Sequence, residues 1–175
     1  MYDKFRVLQA LGAGEFAHLN GSLIAHLQGT YQLLRTWAAS ETLCDAGLFH
    51  AAYGTAGFDG SLISLDTRSE IANTIGGDAE ALVYLYCCCD RDYTFPKITP
   101  DSFPFRDRFT GKEFELEPET ARQFCELTVA NELELVISSD EFKAKYGDEL
   151  RVLFADMNPY LSEPAREAWD IWMSS

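Results

Sequence analysis

Apolar residues recur with helical period along most of the chain. Leu23, Leu27, Tyr31 and Leu34 stand at i, i+4, i+8 and i+11, with Ile24 and Trp37 beside them. That spacing predicts an amphipathic helix from about Ser22 to Ala38 with one inward stripe. Ser40 suits the cap of a second helix, Glu41 to about Tyr53, in which Leu43, Ala46 or Gly47, and His50 follow one another on one side. His50 is therefore expected to point inward. Gly54, Gly57 and Gly60 then mark a loop, and Thr67-x-x-Glu70 reads as a capping box for a short third helix. A fourth helix starts at Gly76-Gly77-Asp78. Its body, Ala79 to Cys89, is apolar nearly all round, which places it near the centre of a bundle.

The helical period lapses between Tyr93 and Glu117, where three prolines fall. There Phe105 to Phe109 and Glu113 to Leu116 flank Thr110-Gly111-Lys112 as a small hairpin. Pro118 fits the first turn of a long helix, Glu119 to Ile137, and shorter helices follow with breaks at Gly147 and Pro159. The pattern predicts one all-α domain over residues 1–175, a helical bundle with a β-hairpin insertion at 93–117 and C-terminal helices at 138–175.

Composition narrows the partners. The chain carries 14 Lys and Arg against 28 Asp and Glu, a net charge of −14, which opposes nucleic-acid backbones and anionic membranes. A small-molecule substrate is the expected partner, and the sequence leaves the oligomeric state open. There is no run of 18 apolar residues, and the amino-terminal stretch lacks a basic flank and a small-residue cleavage site. The cysteines, Cys44, Cys87, Cys88, Cys89 and Cys125, are odd in number and three are consecutive. A reducing, cytoplasmic location is expected rather than a disulfide scaffold. Consecutive cysteines on a helix point about 100° apart, which assigns them to core packing rather than to a metal.

All three histidines, His18, His26 and His50, lie in the first 50 residues. His26 and His50 fall on successive antiparallel helices, an arrangement that aims imidazoles at one point; each is also readable as a satisfied core group. Tyr53, three residues beyond His50, either donates to a substrate oxygen or an imidazole, or ends its helix and packs. Asn131 shares the inward stripe of Leu127 and Leu135, while Glu132 and Glu134 read as a solvated face, the alternative being that one of them reaches the cavity. Asp90 offers a carboxylate ligand, a salt bridge with Arg91 or a helix-end contact. Arg91, Arg106, Arg108 and Lys112 gather around the non-helical insertion and either receive an anion or offset nearby acids. Gly12-x-Gly14 lacks the strand context of a dinucleotide fingerprint.

The stretch Leu23-Ile24-Ala25-His26-Leu27-Gln28-Gly29-Thr30-Tyr31-Gln32-Leu33-Leu34, followed by Ala46-Gly47-Leu48-Phe49-His50, resembles the opening helices of HD-domain metal-dependent phosphohydrolases, especially the guanosine-tetraphosphate hydrolase branch. The likeness continues through Ser69-Glu70-Ile71, Ile75-Gly76 and Ala79-Glu80-Ala81-Leu82-Val83 to Leu127-Thr128-Val129-Ala130-Asn131-Glu132, and spans roughly residues 16 to 136. Through His18-Leu19-Asn20-Gly21-Ser22 and Leu48-Phe49-His50-Ala51-Ala52-Tyr53-Gly54-Thr55 the chain is similar to the DUF6817 type.

The HD resemblance implies an HD-like bundle and a metal site, but Ala51, Asn131, Gly54 and Thr55 stand where the pattern has carboxylates. Alarmone hydrolysis is not expected, because Mn²⁺ and Mg²⁺ need charged oxygen ligands. His18, His26 and His50 form a nitrogen-rich set that suits one divalent Zn or Fe. The reading is a small-molecule enzyme, hydrolase or oxygenase, with His26, His50 and Tyr53 catalytic and Asn131 and Arg91 binding substrate. A metal-free acid–base enzyme using His and Tyr, and a non-catalytic ligand-binding or scaffold protein, are the alternatives.

Overall fold

The computed structural model describes residues 2–11, 17–18, 21–56 and 60–174, with side chains described at 4–11, 22–56 and 60–174. Helix dominates, with nine α-helices among the described residues and two small antiparallel strand pairs. The chain forms two compact units, Met1–Cys87 and Cys88–Ser175.

The first unit opens with α1 (Tyr2–Ala10), a helix whose weak period gave no sequence signal, and with β1 (Ala17–His18) paired to β2 (Gly21–Ser22). Helix α2 (Leu23–Thr36) begins where Ser22 accepts a hydrogen bond from the Ala25 N–H, and buries Leu23, Leu27, Thr30, Tyr31 and Leu34. Full burial of a leucine contributes about 1.5–3 kcal/mol, so the stripe dominates the helix's energetics. Its end is a Schellman motif: the Ala39 N–H bonds to the Leu34 carbonyl and the Ala38 N–H to that of Arg35. Ala38 holds the left-handed position with φ 56°.

Ser40 then caps α3 (Glu41–Phe49) through the Leu43 N–H. The sequence reading carried this helix on to Tyr53, but it stops at Phe49. Bonds from the Ala52 N–H to the Phe49 carbonyl and from the Gly54 N–H to the Ala51 carbonyl close tight turns instead, and Gly54 turns left-handed at φ 77°. Helix α4 (Arg68–Ile75) follows a 3₁₀ turn at Leu65–Thr67. Thr67 stands at its N-cap without a side-chain cap bond, contrary to the expected capping box, because Ser64 caps the 3₁₀ turn ahead of it and the Thr67 hydroxyl donates back to the Ser64 carbonyl. Helix α5 (Gly77–Cys88) is buried on most sides, as its all-round apolar composition predicted.

The second unit contains α6 (Arg91–Thr94), the hairpin of β3 (Pro104–Arg106) and β4 (Glu113–Glu115), α7 (Pro118–Ser138), α8 (Asp140–Met157) and α9 (Glu163–Met173). Phe105 pairs with Phe114 across the hairpin, and Pro118 takes the first turn of α7. Phe103, Phe105 and Phe124 meet edge to face, with centroids 5.8 Å and 5.7 Å from the Phe124 ring. Gly147 does not break the chain as expected. It lies inside α8 because its residue is buried beside Lys143 and Arg151, while the real stop comes at Asn158–Tyr160 around Pro159.

Candidate functional site

Helix α2 and helix α3, joined by four residues, lie against each other and bring two of the three histidines together. The rings of His26 and His50 stand 5.1 Å apart, centroid to centroid, in an edge-to-face arrangement at 81°. His50 is 2% exposed and His26 is half-buried. His18 lies in β1, ahead of α2, but its side chain is outside the described residues.

His50 occupies the C-cap of α3, and its Nδ1 is 2.7 Å from the Gly47 carbonyl oxygen. A carbonyl can only accept, so Nδ1 carries the hydrogen, and in the neutral form of the ring the lone pair is on Nε2. The Tyr86 ring packs edge-on at 5.4 Å. The Cys87 thiol donates to the His50 carbonyl oxygen, with sulfur and oxygen 3.1 Å apart. On α2, the Thr30 hydroxyl donates to the His26 carbonyl.

Tyr53 is buried, and its hydroxyl donates to Glu80 Oε1 at 2.7 Å. Burial first, and the hydrogen bond to Glu80 second, push the phenol pKa upward. The group is thus a neutral donor whose proton is directed at a carboxylate. Glu80 also takes a two-point contact from Arg68, Nε to Oε1 at 2.6 Å and Nη2 to Oε2 at 2.7 Å. The Arg68 guanidinium lies 3.9 Å from the centre of the Tyr84 ring. Sequence reasoning missed both Glu80 and Arg68. The signal was present, since Glu80 is the one charged residue between Ala79 and Cys89, and a lone carboxylate in an apolar helix needs a partner.

Arg91 and Asn131 belong to the second unit and are brought together there through Glu132. Asn131 Nδ2 donates to Glu132 Oε1 at 3.1 Å, and Arg91 Nη1 lies 3.6 Å from the same oxygen. Glu132 is buried, not on a solvated face, because α7 is covered on nearly all sides from Phe124 to Leu133. Asp90 caps α6 through the Tyr93 N–H, which is the helix-end contact its position suggested, and is bonded by Arg106, Nε at 2.9 Å and Nη2 at 2.7 Å, a salt-bridge partner the sequence reading did not name. Burial alone would raise its pKa, but the Arg106 hydrogen bond and charge bring it below the ordinary carboxylate value. Arg106 also faces Glu113 and the Tyr93 ring, so this basic residue offsets local acids. An open groove of about 360 Å³ runs along α8, lined by charges of both signs from Asp140 to Arg151.

Among the described residues, no three His, Cys, Asp or Glu side chains are grouped to hold a metal ion, and no helix is long and apolar enough to cross a membrane. Residues 7–91 match the family model described as a domain of unknown function, DUF6817. That span contains His18, His26, His50, Tyr53, Arg68 and Glu80. Neither curated proteins nor solved structures give a match to the chain.

Proposed function

We propose that this chain is a small-molecule enzyme on a divergent HD-like bundle, with His26 and His50 as two donors to a divalent metal and His18 as the third. One observation carries the reading: two imidazoles 5.1 Å apart, one of them oriented by a backbone carbonyl. Metal–nitrogen bonds of about 2.0–2.1 Å at tetrahedral angles put two imidazole centroids on one ion roughly 5 Å apart. An Nδ1–H bonded to a carbonyl is also the support that imidazole ligands receive, since it fixes the tautomer and raises the basicity of Nε2.

The donor set selects the metal. Ala51, Gly54 and Thr55 supply no carboxylate to the turn after His50, so nitrogen ligands dominate, which favours zinc or ferrous iron over magnesium or manganese. Such a metal, when bound, supplies Lewis acidity and an activated water for hydrolysis, or a redox centre for oxidation. The chain's own contribution is to hold His50 in one tautomer and to keep water from its buried face. Tyr53 forms part of the wall, its proton directed at Glu80. Arg91 and Asn131, tied to Glu132, serve α6 and α7 in this reading rather than the substrate. Five thiols without a disulfide favour a reducing, cytoplasmic setting.

Elemental analysis of tag-free protein, purified without chelator, tests the proposal. Near-stoichiometric zinc or iron that is lost in His26→Ala and in His50→Ala is the expected result. Absence of metal after anaerobic reconstitution, or full retention in both variants, overturns it.

A further inference from the structure

The turn that follows α3 is held from one side by two groups on α5. Glu80 and Cys87 are seven residues apart, two helical turns, and so share a face of α5. Their contacts land one chain turn apart: the Cys87 thiol bonds the His50 carbonyl, and Glu80 accepts from the Tyr53 hydroxyl. Glu80 is itself fixed by Arg68 from α4, through both carboxylate oxygens. The backbone from His50 to Tyr53 is therefore pinned at both ends, at the point where α3 has already ended and its own helical bonds no longer hold it.

We propose that Glu80 and Cys87 are positioning residues that act together, through Tyr53 and through the His50 carbonyl, to set the orientation and tautomer of the His50 imidazole. This rests on the reading of His50 as the working group of the first unit. A buried turn could have been filled by apolar side chains at lower desolvation cost. Here it uses a phenol, a carboxylate, a guanidinium and a thiol, each directed at a named acceptor or donor. Outer contacts of this type typically change the affinity of a histidine site for its metal by 10–100-fold when removed.

The test uses the metal-free full chain and reads the imidazole itself. Long-range nitrogen–proton NMR correlations report which ring nitrogen of His50 carries hydrogen, and zinc titration gives the affinity of the pair. Tyr53→Phe and Cys87→Ala, each checked for native circular dichroism, are expected to mix the His50 tautomers and to weaken zinc at least tenfold. Cys87→Ser, whose hydroxyl still donates to the carbonyl, is expected to restore the wild-type signature. Unchanged tautomer and unchanged zinc affinity in a folded Tyr53→Phe, Cys87→Ala double variant would overturn the proposal. Should wild type bind no zinc, the metal reading fails, while the tautomer measurement still decides the positioning role.

Discussion

Glu126, near the middle of α7, caps the first turn of α9 from outside: its Oε1 accepts the Ser162 hydroxyl at 2.5 Å and its Oε2 the Ser162 N–H at 3.0 Å. The same hydroxyl oxygen accepts the Ala165 N–H at 3.3 Å. One buried carboxylate thus serves both the donor and the geometry of a helix cap. Glu126→Ala is expected to destabilise the second unit by about 2 kcal/mol, because it leaves a charge-assisted hydrogen bond unmade in a buried place. Glu126→Gln, which keeps an acceptor, is expected to lose less. Urea unfolding followed by tryptophan fluorescence measures both, and equal losses would contradict the role given to the charge.

Lys4 on α1 reaches Asp45 on α3 at 2.6 Å, and Glu41 lies 3.5 Å away. Burial lowers the lysine's pKa, but the hydrogen bond and charge of Asp45 outweigh it, so the net shift is upward from 10.5. A pKa raised by folding stabilises fully below the unfolded value and ceases to do so as pH rises through the folded one. The stability difference between wild type and Lys4→Met is therefore expected to be constant from pH 7 to 9 and to shrink above about pH 10.5. At neutral pH the substitution is expected to cost about 3 kcal/mol, since it strands the buried Asp45 carboxylate. Urea midpoints at several pH values check both statements, and a difference that grows with pH contradicts them.

Burial pushes the Cys89 thiol up to about 12, holds Cys125 well above its ordinary value and raises Cys44. All five thiols are buried. A thiolate is the reactive form, so none is expected to react with a disulfide reagent at pH 8 in the native chain within minutes, and all five in urea. Rapid native labelling of any one of them contradicts the packing described.

Glu80 divides its bonds unequally. Arg68→Met leaves a buried carboxylate without its cation and is expected to cost about 3 kcal/mol, while Tyr53→Phe removes one neutral donor at about 1 kcal/mol. The double variant is expected to be non-additive, because both single changes act on one carboxylate. Chemical denaturation of the three variants gives the coupling, and strict additivity would separate the two contacts.

Much of this architecture was legible in residue order. The Leu23, Leu27, Tyr31, Leu34 stripe gave α2 to within two residues, Ser40 caps the helix its position foretold, and Pro118 opens α7. These signals are local. What failed was non-local or all-or-none: α3 ends four residues early because the turn after it is bonded to α5, and Gly147 stays helical because its neighbours bury it. The pairing of His26 with His50 was readable from two helices joined by a short turn. The partner that Glu80 takes was not, because it reaches Tyr53 across 27 residues and no period announces that contact.

The Schellman stop at Ala38 has a consequence for how the chain folds. With four residues between α2 and α3, closing this hairpin costs little chain entropy, and it can form without waiting for distant contacts. His26 and His50, 24 positions apart, therefore meet in a fast local event rather than in the final docking of the molecule. Glycine at position 38 would remove the left-handed strain and slow the hairpin's opening; an inserted residue would cost the chain its register at the first step.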